Sequence, residues 1–127
     1  MSGEIQSFRD LVAWQKAVDL CQAVYEVSNR FPENERFGLV IQMRRAAVSV
    51  PSNIAEGYGR RSRGDYVRFL NVALGSLYEL ETQTVIAIRL EFVSGDDLAD
   101  SMNLIRDVDR LLNALIRAVR ASEVKQP

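Results

Sequence analysis

The fold is decided by one stretch in the first half of the chain, Leu39-Val-Ile-Gln-Met-Arg-Arg-Ala-Ala-Val-Ser-Val-Pro-Ser-Asn-Ile-Ala-Glu-Gly57. Its apolar residues recur at steps of three and four, at Leu39, Met43, Ala46, Val50 and Ile54. This spacing puts them on one face of an α-helix, whereas a half-buried strand would alternate at every second residue. The stretch therefore predicts an amphipathic helix with one buried face.

Pro51 lies inside this pattern. Proline lacks a backbone N–H, and its ring clashes with the preceding helical turn. We therefore expect a kink or a break near Pro51, with the chain continuing to Gly57 or Gly59, where glycine favours the end of a helix.

Three further segments begin with a serine that is followed three residues later by an aspartate: Ser7 with Asp10, Ser62 with Asp65, and Ser94 with Asp97. The serine hydroxyl accepts a free helix amide, and the helix dipole favours the carboxylate in the first turn. Each pair predicts a helix start. The first helix is expected to end near Arg30, and the third near Glu91.

Each of these segments has its own apolar stripe at helical spacing. In the first segment the predicted stripe is Leu11, Trp14, Val18, Cys21, Tyr25 and Ser28. In the third it is Tyr66, Phe69, Leu70, Ala73, Leu77, Leu80 and Thr84. In the fourth it is Leu98, Met102, Ile105, Leu112, Ile116 and Val119. Gly75 costs a helix about 1 kcal/mol relative to alanine, so we expect another helix to approach closely there.

Four helices joined by short loops, with no strand-like alternation, predict an all-α fold: an antiparallel, up-down-up-down four-helix bundle whose second helix is kinked near Pro51. The chain of 127 residues has the length of one domain, so we assign residues 1–127 to a single bundle with an ordered core over about residues 8–120. Ser122 to Pro127 is expected to form a frayed tail.

The second and fourth helices carry more apolar residues than one core stripe needs. The surplus lies at Ile41, Val48 and Ala55 on the second helix and at Leu104, Val108, Leu111 and Leu115 on the fourth. Such a surplus favours contact with another subunit, so a homo-oligomer is predicted. The alternative is a broad core around large side chains.

Composition narrows the functional classes. Apolar residues make up 47% of the chain, but no apolar run approaches the ~20 residues of a membrane span. The N-terminus does not have the pattern of a secretory signal, and the single cysteine, Cys21, fits a reducing compartment, so we expect a cytoplasmic protein. Cys21 itself is expected to be a small core residue. The chain has no histidine, which excludes histidine-based catalysis.

Basic charge is concentrated between residues 44 and 68, where six arginines face two acidic residues. This stretch has a formal charge of +4, and the rest of the chain has −5. Guanidinium groups suit the recognition of phosphate or carboxylate. Two interpretations stay open: a surface for a nucleic-acid backbone, or ion pairs with Glu56, Glu79 or Glu81 and with neighbouring subunits. The candidate nucleic-acid-binding residues are Arg44, Arg45, Arg60, Arg61, Arg63 and Arg68.

Other chemical motifs are weak. The glycine-rich piece from Gly57 to Gly64 follows a helix and lacks the Gly-Lys-Ser/Thr of a phosphate-binding loop. Glu56 and Asn53 form a polar spot best explained by hydrogen bonding near the proline. Tyr58, Tyr66 and Phe69 lie among the basic residues, where aromatic rings either stack on bases or belong to the core. We therefore predict no enzymatic activity, no catalytic residue, no cofactor and no metal.

Three blocks of sequence resemble a bacterial family of four-helix bundles, the 23S rRNA intervening-sequence proteins. They are Phe8-Arg-Asp-Leu-Val-Ala-Trp-Gln-Lys-Ala17, Gln42-Met-Arg-Arg-Ala-Ala-Val-Ser-Val-Pro-Ser-Asn-Ile-Ala-Glu-Gly57 and Ala73-Leu-Gly-Ser-Leu-Tyr-Glu-Leu-Glu81. The resemblance spans about residues 8–120 and extends to the accessory variability determinant of diversity-generating retroelements, a pentamer that binds a reverse transcriptase and its RNA. It implies a four-helix protomer in a ring-shaped homopentamer with no established enzymatic activity.

Two functions follow as expectations. The first is a non-enzymatic oligomeric binding module that holds structured RNA or a ribonucleoprotein partner through its arginines. The second is a structural or protein-interaction subunit whose arginines bridge neighbouring subunits.

Overall fold

The computed structural model describes residues 4–124 and consists of four α-helices. They are α1 (Val12–Ser28), α2 (Leu39–Tyr58), α3 (Arg63–Arg89) and α4 (Ala99–Val124). Each helix packs against two others, in the order α1, α2, α3, α4 and back to α1, and the contact between α2 and α3 is the most extensive. No strand occurs in this part of the chain, so the predicted all-α four-helix bundle is confirmed.

Helix α2 runs through Pro51 without a break, which excludes the broken-helix alternative. Close to the proline, the Asn53 side chain donates from Nδ2 to the Ser49 carbonyl oxygen at 2.8 Å and to the Ser49 hydroxyl at 2.9 Å. The Ser49 and Ser76 hydroxyls lie 2.8 Å apart and link α2 to α3. A change of helix direction at Pro51 stays a prediction.

The serine signals are correct as caps, but two of them do not begin an α-helix directly. Ser62 caps α3, its hydroxyl accepting from the Asp65 amide at 3.0 Å. Ser7 caps a short 3-10 helix, Phe8–Asp10, and extended backbone at Leu11 separates this turn from α1. Ser94 caps a turn, and α4 begins only at Ala99, later than the sequence predicted.

The predicted core stripe of α1 is wrong for most of its length. Val18 and Tyr25 are exposed, while Trp14 and Cys21 are half-buried; burial raises the pKa of the Cys21 thiol. The face that enters the core is instead Ala13, Ala17, Leu20, Val24 and Val27. The two stripes lie side by side on the helix, and the small side chains of the inner one let α1 pack closely against its neighbours.

Most residues of the other predicted stripes are buried, whereas Leu39, Tyr66, Phe69 and Met102 are only half-buried. Met43, Ala46, Val50 and Ile54 of α2 and Leu70, Ala73, Leu77 and Leu80 of α3 are buried. On α4, Val108 joins the core, while Leu104, Leu111 and Leu115 are only partly covered. The expected ordered core and tail are tested only to Val124, the last residue of α4, because residues 125–127 lie outside the described part.

The expectation for Gly75 is also wrong. A Cβ added at Gly75 has nothing within 4 Å, so no helix of the same protomer approaches it. The close approach is at Gly57, where an added Cβ would lie 2.8 Å from the Cβ of Phe69. Gly57 is therefore the residue that lets α2 and α3 meet.

Candidate nucleic-acid interface

The turn between α2 and α3 and the first two turns of α3 carry four of the six candidate arginines. Helix α2 ends at Tyr58, and α3 begins at Arg63, so only four residues connect them. Because the turn is so short, its two arginines and the two at the beginning of α3 come to the same end of the bundle. We call this group the turn cluster and define it as Arg60, Arg61, Arg63 and Arg68.

Two members of the turn cluster lie against one aromatic ring. The Cζ atom of Arg60 is 4.5 Å from the centre of the Phe69 ring, and that of Arg68 is 4.7 Å from it. Such contacts between a guanidinium and an aromatic face are attractive. The ring itself is half-buried at the contact between the two helices, so it gives the two arginines a fixed support.

The same two arginines each have an acidic neighbour one turn away. Arg60 Nη2 lies 3.2 Å from Glu56 Oε2, and Arg68 Nη2 lies 3.5 Å from Asp65 Oδ1. All four side chains are between 41% and 62% exposed. Exposed ion pairs of this kind contribute about 0–1 kcal/mol, so an incoming anion can replace the carboxylates.

The remaining two members have no acidic neighbour. Arg61 is exposed and Arg63 is half-buried, and neither side chain forms a hydrogen bond or an ion pair with any residue between 4 and 124. Counted with Glu56 and Asp65, the cluster has a formal charge of +2. Positive potential is therefore available to a partner at this end of the bundle.

The base of the cluster is aromatic. Tyr58 and Tyr66 meet edge to face, with ring centres 6.1 Å apart, and both are half-buried. Burial, with a smaller contribution from Tyr58, raises the pKa of Tyr66 to about 12. These half-buried rings therefore pack against each other at the turn and are not exposed platforms on which RNA bases would stack.

Arg44 and Arg45, which we call the groove pair, lie elsewhere. From Arg44 to Tyr58 the rise along α2 is about 21 Å, so the pair is well separated from the turn cluster. Arg44 Nε donates to the Ser28 hydroxyl at 2.9 Å, and its Nη2 donates to Asn29 Oδ1 at 3.0 Å. Its Cζ also lies 4.6 Å from the centre of the Tyr25 ring. Arg44 thus fastens α2 to the end of α1.

Arg45 is exposed, and its guanidinium group meets no acceptor between residues 4 and 124. It lies beside an open groove between α1 and α2 with a volume of about 480 Å³. The groove is lined by Tyr25, Ile41, Arg44, Arg45, Val48 and Ser49. The six arginines, which the sequence presents as one group, therefore fall into two separate groups in the structure, the turn cluster and the groove pair.

The acidic residues considered as arginine partners behave differently from one another. Glu56 pairs with Arg60, as one of the two interpretations allowed. Glu79 instead accepts a hydrogen bond from Gln83 at 3.3 Å, and Glu81 forms no ion pair within the described residues. Sequence reasoning missed the contact that Arg60 and Arg68 share with Phe69. The position of Phe69 next to Arg68 in the sequence does not by itself imply this contact, because adjacent residues point to different sides of a helix, and the approach of Arg60 depends on the path of the turn.

Between residues 4 and 124, no three cysteine, aspartate or glutamate residues group together in a way that could hold a metal ion. Over the same range, no helix has both the length and the apolar character that crossing a membrane requires.

Comparison with known proteins identifies the family. Among solved structures, the fold is similar to a protein of unknown function from the S23 ribosomal protein family of Bacteroides thetaiotaomicron VPI-5482, with a TM-score of 0.77 and 24% identity over 83% of this chain and 98% of the other. At that identity the likeness establishes the fold alone. No curated protein matches. A sequence profile of the 23S rRNA-intervening sequence proteins matches residues 9–114, so the chain belongs to this family, as its sequence blocks indicated.

Proposed function

We propose that this protein is a non-enzymatic, homo-oligomeric binding module of the cytoplasm that holds structured RNA, alone or within a ribonucleoprotein, through the turn cluster. The observation that carries the proposal is the convergence of Arg60, Arg61, Arg63 and Arg68 at one end of the bundle. Within residues 4–124, the carboxylates that pair with them are those of Glu56 and Asp65, and both are exposed.

The mechanism is neutralisation of the phosphate backbone. Guanidinium groups donate paired hydrogen bonds to phosphate oxygens, and each neutralised phosphate releases condensed counterions. Contacts of this type fix the position of an RNA but carry little sequence information. Binding is therefore expected to weaken steeply with salt and to depend on RNA shape more than on sequence.

Assembly is supported by apolar side chains that the protomer leaves exposed. Val18, Tyr25 and Val48 are 37%, 41% and 40% exposed on the α1–α2 side of the bundle. On α3, Val72 and Ile86 are 46% and 41% exposed. An oligomer would cover such surfaces and would repeat the turn cluster on every subunit. The state we propose, from the resemblance of the sequence blocks, is a homopentamer.

The isoelectric point near 5.5 is low for a nucleic-acid-binding protein. Repetition of a local positive cluster around an oligomer compensates for this, because a partner that spans several subunits meets several clusters at once. The non-enzymatic part of the proposal rests on the composition, since a chain without histidine lacks the commonest general base.

A second candidate is a structural or protein-interaction subunit, and the groove pair favours it. Arg45 lies beside apolar groove residues, where an acidic side chain of a neighbouring subunit would give an ion pair shielded from solvent. In that case the arginines serve assembly and RNA is not a ligand.

The experiment is a comparison of two charge reversals by fluorescence anisotropy with a labelled RNA hairpin and by light scattering. If the turn cluster binds RNA, Arg60→Glu with Arg61→Glu weakens binding at least ~10-fold and lowers the log–log salt slope by about 2 or more, while the oligomer mass stays unchanged. Arg45→Glu is the matched control and should leave RNA affinity within about twofold. An unchanged affinity of the double variant contradicts the proposal, and a lower mass for either variant supports the second candidate.

A further inference from the structure

We propose that Phe69 is the positioning residue of the turn cluster, and that its ring holds the guanidinium groups of Arg60 and Arg68 as a clamp for two neighbouring phosphates of one RNA strand. This inference rests on the proposed function, because it assigns an RNA backbone as the ligand. It adds how the cluster is organised and which phosphates it takes.

The geometry of the clamp follows from two distances to one ring. The Cζ atoms of Arg60 and Arg68 lie 4.5 and 4.7 Å from the same ring centre. The two guanidinium carbons are therefore at most about 9 Å apart, close enough for both to contact neighbouring phosphates of one strand. Arg60 comes from the turn and Arg68 from α3, so their proximity depends on the ring that both of them contact.

The position of the ring is itself fixed by helix packing. Gly57 on α2 has no Cβ. A Cβ added at Gly57 would lie 2.8 Å from the Cβ of Phe69, so Phe69 occupies the space that a side chain there would need. Tyr66 packs against the same glycine, with its Cδ1 atom 3.1 Å from the added Cβ position. The close approach of Phe69 to Gly57 therefore makes the position of the ring depend on how α2 and α3 pack.

Contact with an aromatic face also leaves the binding edges of the guanidinium groups available. The cation–π contact uses the flat face, whereas the N–H groups point outward in the guanidinium plane. At present one edge of each guanidinium meets Glu56 or Asp65 at 3.2 or 3.5 Å. These exposed carboxylates hold the arginines extended until a phosphate replaces them, so less side-chain entropy is lost on binding.

The test compares replacements of Phe69 that keep or remove the electron-rich ring face. Phe69→Leu keeps the Cβ and the apolar bulk but removes the ring, and it should weaken binding of a labelled RNA hairpin about fivefold. Phe69→Tyr keeps the ring and should restore affinity to within about twofold of the wild type. If Phe69→Leu folds poorly, pentafluorophenylalanine at position 69 keeps the shape while reversing the ring electrostatics, and it should show the same loss.

A second measurement separates positioning from simple structural support. In proton–nitrogen NMR spectra, the side-chain Nε–H signals of Arg60 and Arg68 should both shift when the RNA hairpin is added. The ring-current displacement of these signals should be absent in Phe69→Leu and present in Phe69→Tyr, whatever the stability of either variant.

The outcomes distinguish the clamp from the function on which it rests. Wild-type affinity in both Phe69→Leu and the fluorinated variant would overturn the clamp and leave RNA binding by the cluster intact. Failure of the wild-type protein to bind the RNA hairpin at about 50 mM salt would overturn the proposed function and the clamp with it.

Discussion

The turn cluster and the groove pair come from one short stretch of sequence and contain the same residue type, yet their surroundings give them different tasks. Arg44 in the groove pair donates to Ser28 and Asn29 and is part of the protomer's own structure. In the turn cluster, Arg60 and Arg68 have weak, exposed partners, and Arg61 has none within residues 4–124. An arginine is therefore available to a ligand only where its own fold leaves its donors unused.

The largest expected effect is a loss of stability when the close contact between α2 and α3 at Gly57, which supports the turn cluster, is disrupted. Gly57→Ala places a Cβ 2.8 Å from the Cβ of Phe69, so α2 and α3 must separate, and we expect a loss of about 1–3 kcal/mol in the free energy of unfolding. Gly75→Ala is the matched control. It has open space around it and should stabilise the protein by about 0.5–1 kcal/mol through helix propensity.

Urea unfolding of both variants measures this difference. Equal stability of the two would show that α2 and α3 are not in close contact at Gly57. Because Phe69 carries the two stacked arginines, Gly57→Ala should also lower RNA affinity, whereas Gly75→Ala should not.

A smaller effect on the free energy of unfolding should distinguish the two arginines of the groove pair. Arg44→Met keeps an extended apolar side chain but removes the donors to Ser28 and Asn29, and the expected loss in unfolding free energy is about 1–2 kcal/mol. Arg45→Met should change it by less than about 0.5 kcal/mol, because Arg45 has no partner among residues 4–124.

Thermal or urea unfolding at low protein concentration checks the pair, with RNA anisotropy as the second readout. Neither variant should alter RNA affinity by more than about twofold. A stability loss for Arg45→Met as large as that for Arg44→Met would indicate an intersubunit ion pair at Arg45 and would favour the assembly function.

The smallest effect concerns alkaline pH at the base of the turn cluster. Tyr66 has an ordinary pKa of 10.0, and burial raises it to about 12 in the folded protein. Between these values the unfolded chain loses the Tyr66 proton while the folded protein keeps it, so the stabilising contribution that is complete below pH 10 falls as the pH approaches 12.

Unfolding temperatures measured from pH 9 to 12 for the wild type and Tyr66→Phe test this. The decline should be shallower in Tyr66→Phe, because phenylalanine has no proton to lose. Identical pH profiles would mean that Tyr66 is as accessible in the folded protein as in the unfolded one.

Much of the fold could be predicted because local chemistry decides it. Ser62 accepts the Asp65 amide because the spacing from serine to aspartate suits the first turn of a helix, and the most regular apolar stripes of α2 and α3 are the ones that the protomer buries. Helix α1 could not be read in this way. It has two adjacent apolar stripes. The bulkier stripe, with Trp14 and Tyr25, predicts the core face, but the protomer buries the stripe with Ala13 and Ala17.

The candidate site was only partly predictable for the same reason. Sequence identified the arginines and named Glu56 as one of three possible acidic partners, and the structure pairs it with Arg60 at a spacing of four residues. It assigned the close helix contact to Gly75 rather than Gly57, because the cost of glycine in a helix is the same at either place. The sequence also did not reveal that Arg60 and Arg68 share a contact with Phe69. Arg60 belongs to the turn and Arg68 to α3, so this contact depends on the backbone conformation of the turn.

The sequence by itself determined four helices, their capping serines and the family, because hydrogen bonding to a neighbouring amide and the period of an α-helix act over a few residues. Only the tertiary structure decided which face of α1 is buried, which glycine lets two helices touch, and which arginines keep free donors. These depend on what lies across the bundle, since burial and close contact are properties of residues brought together from distant parts of the chain.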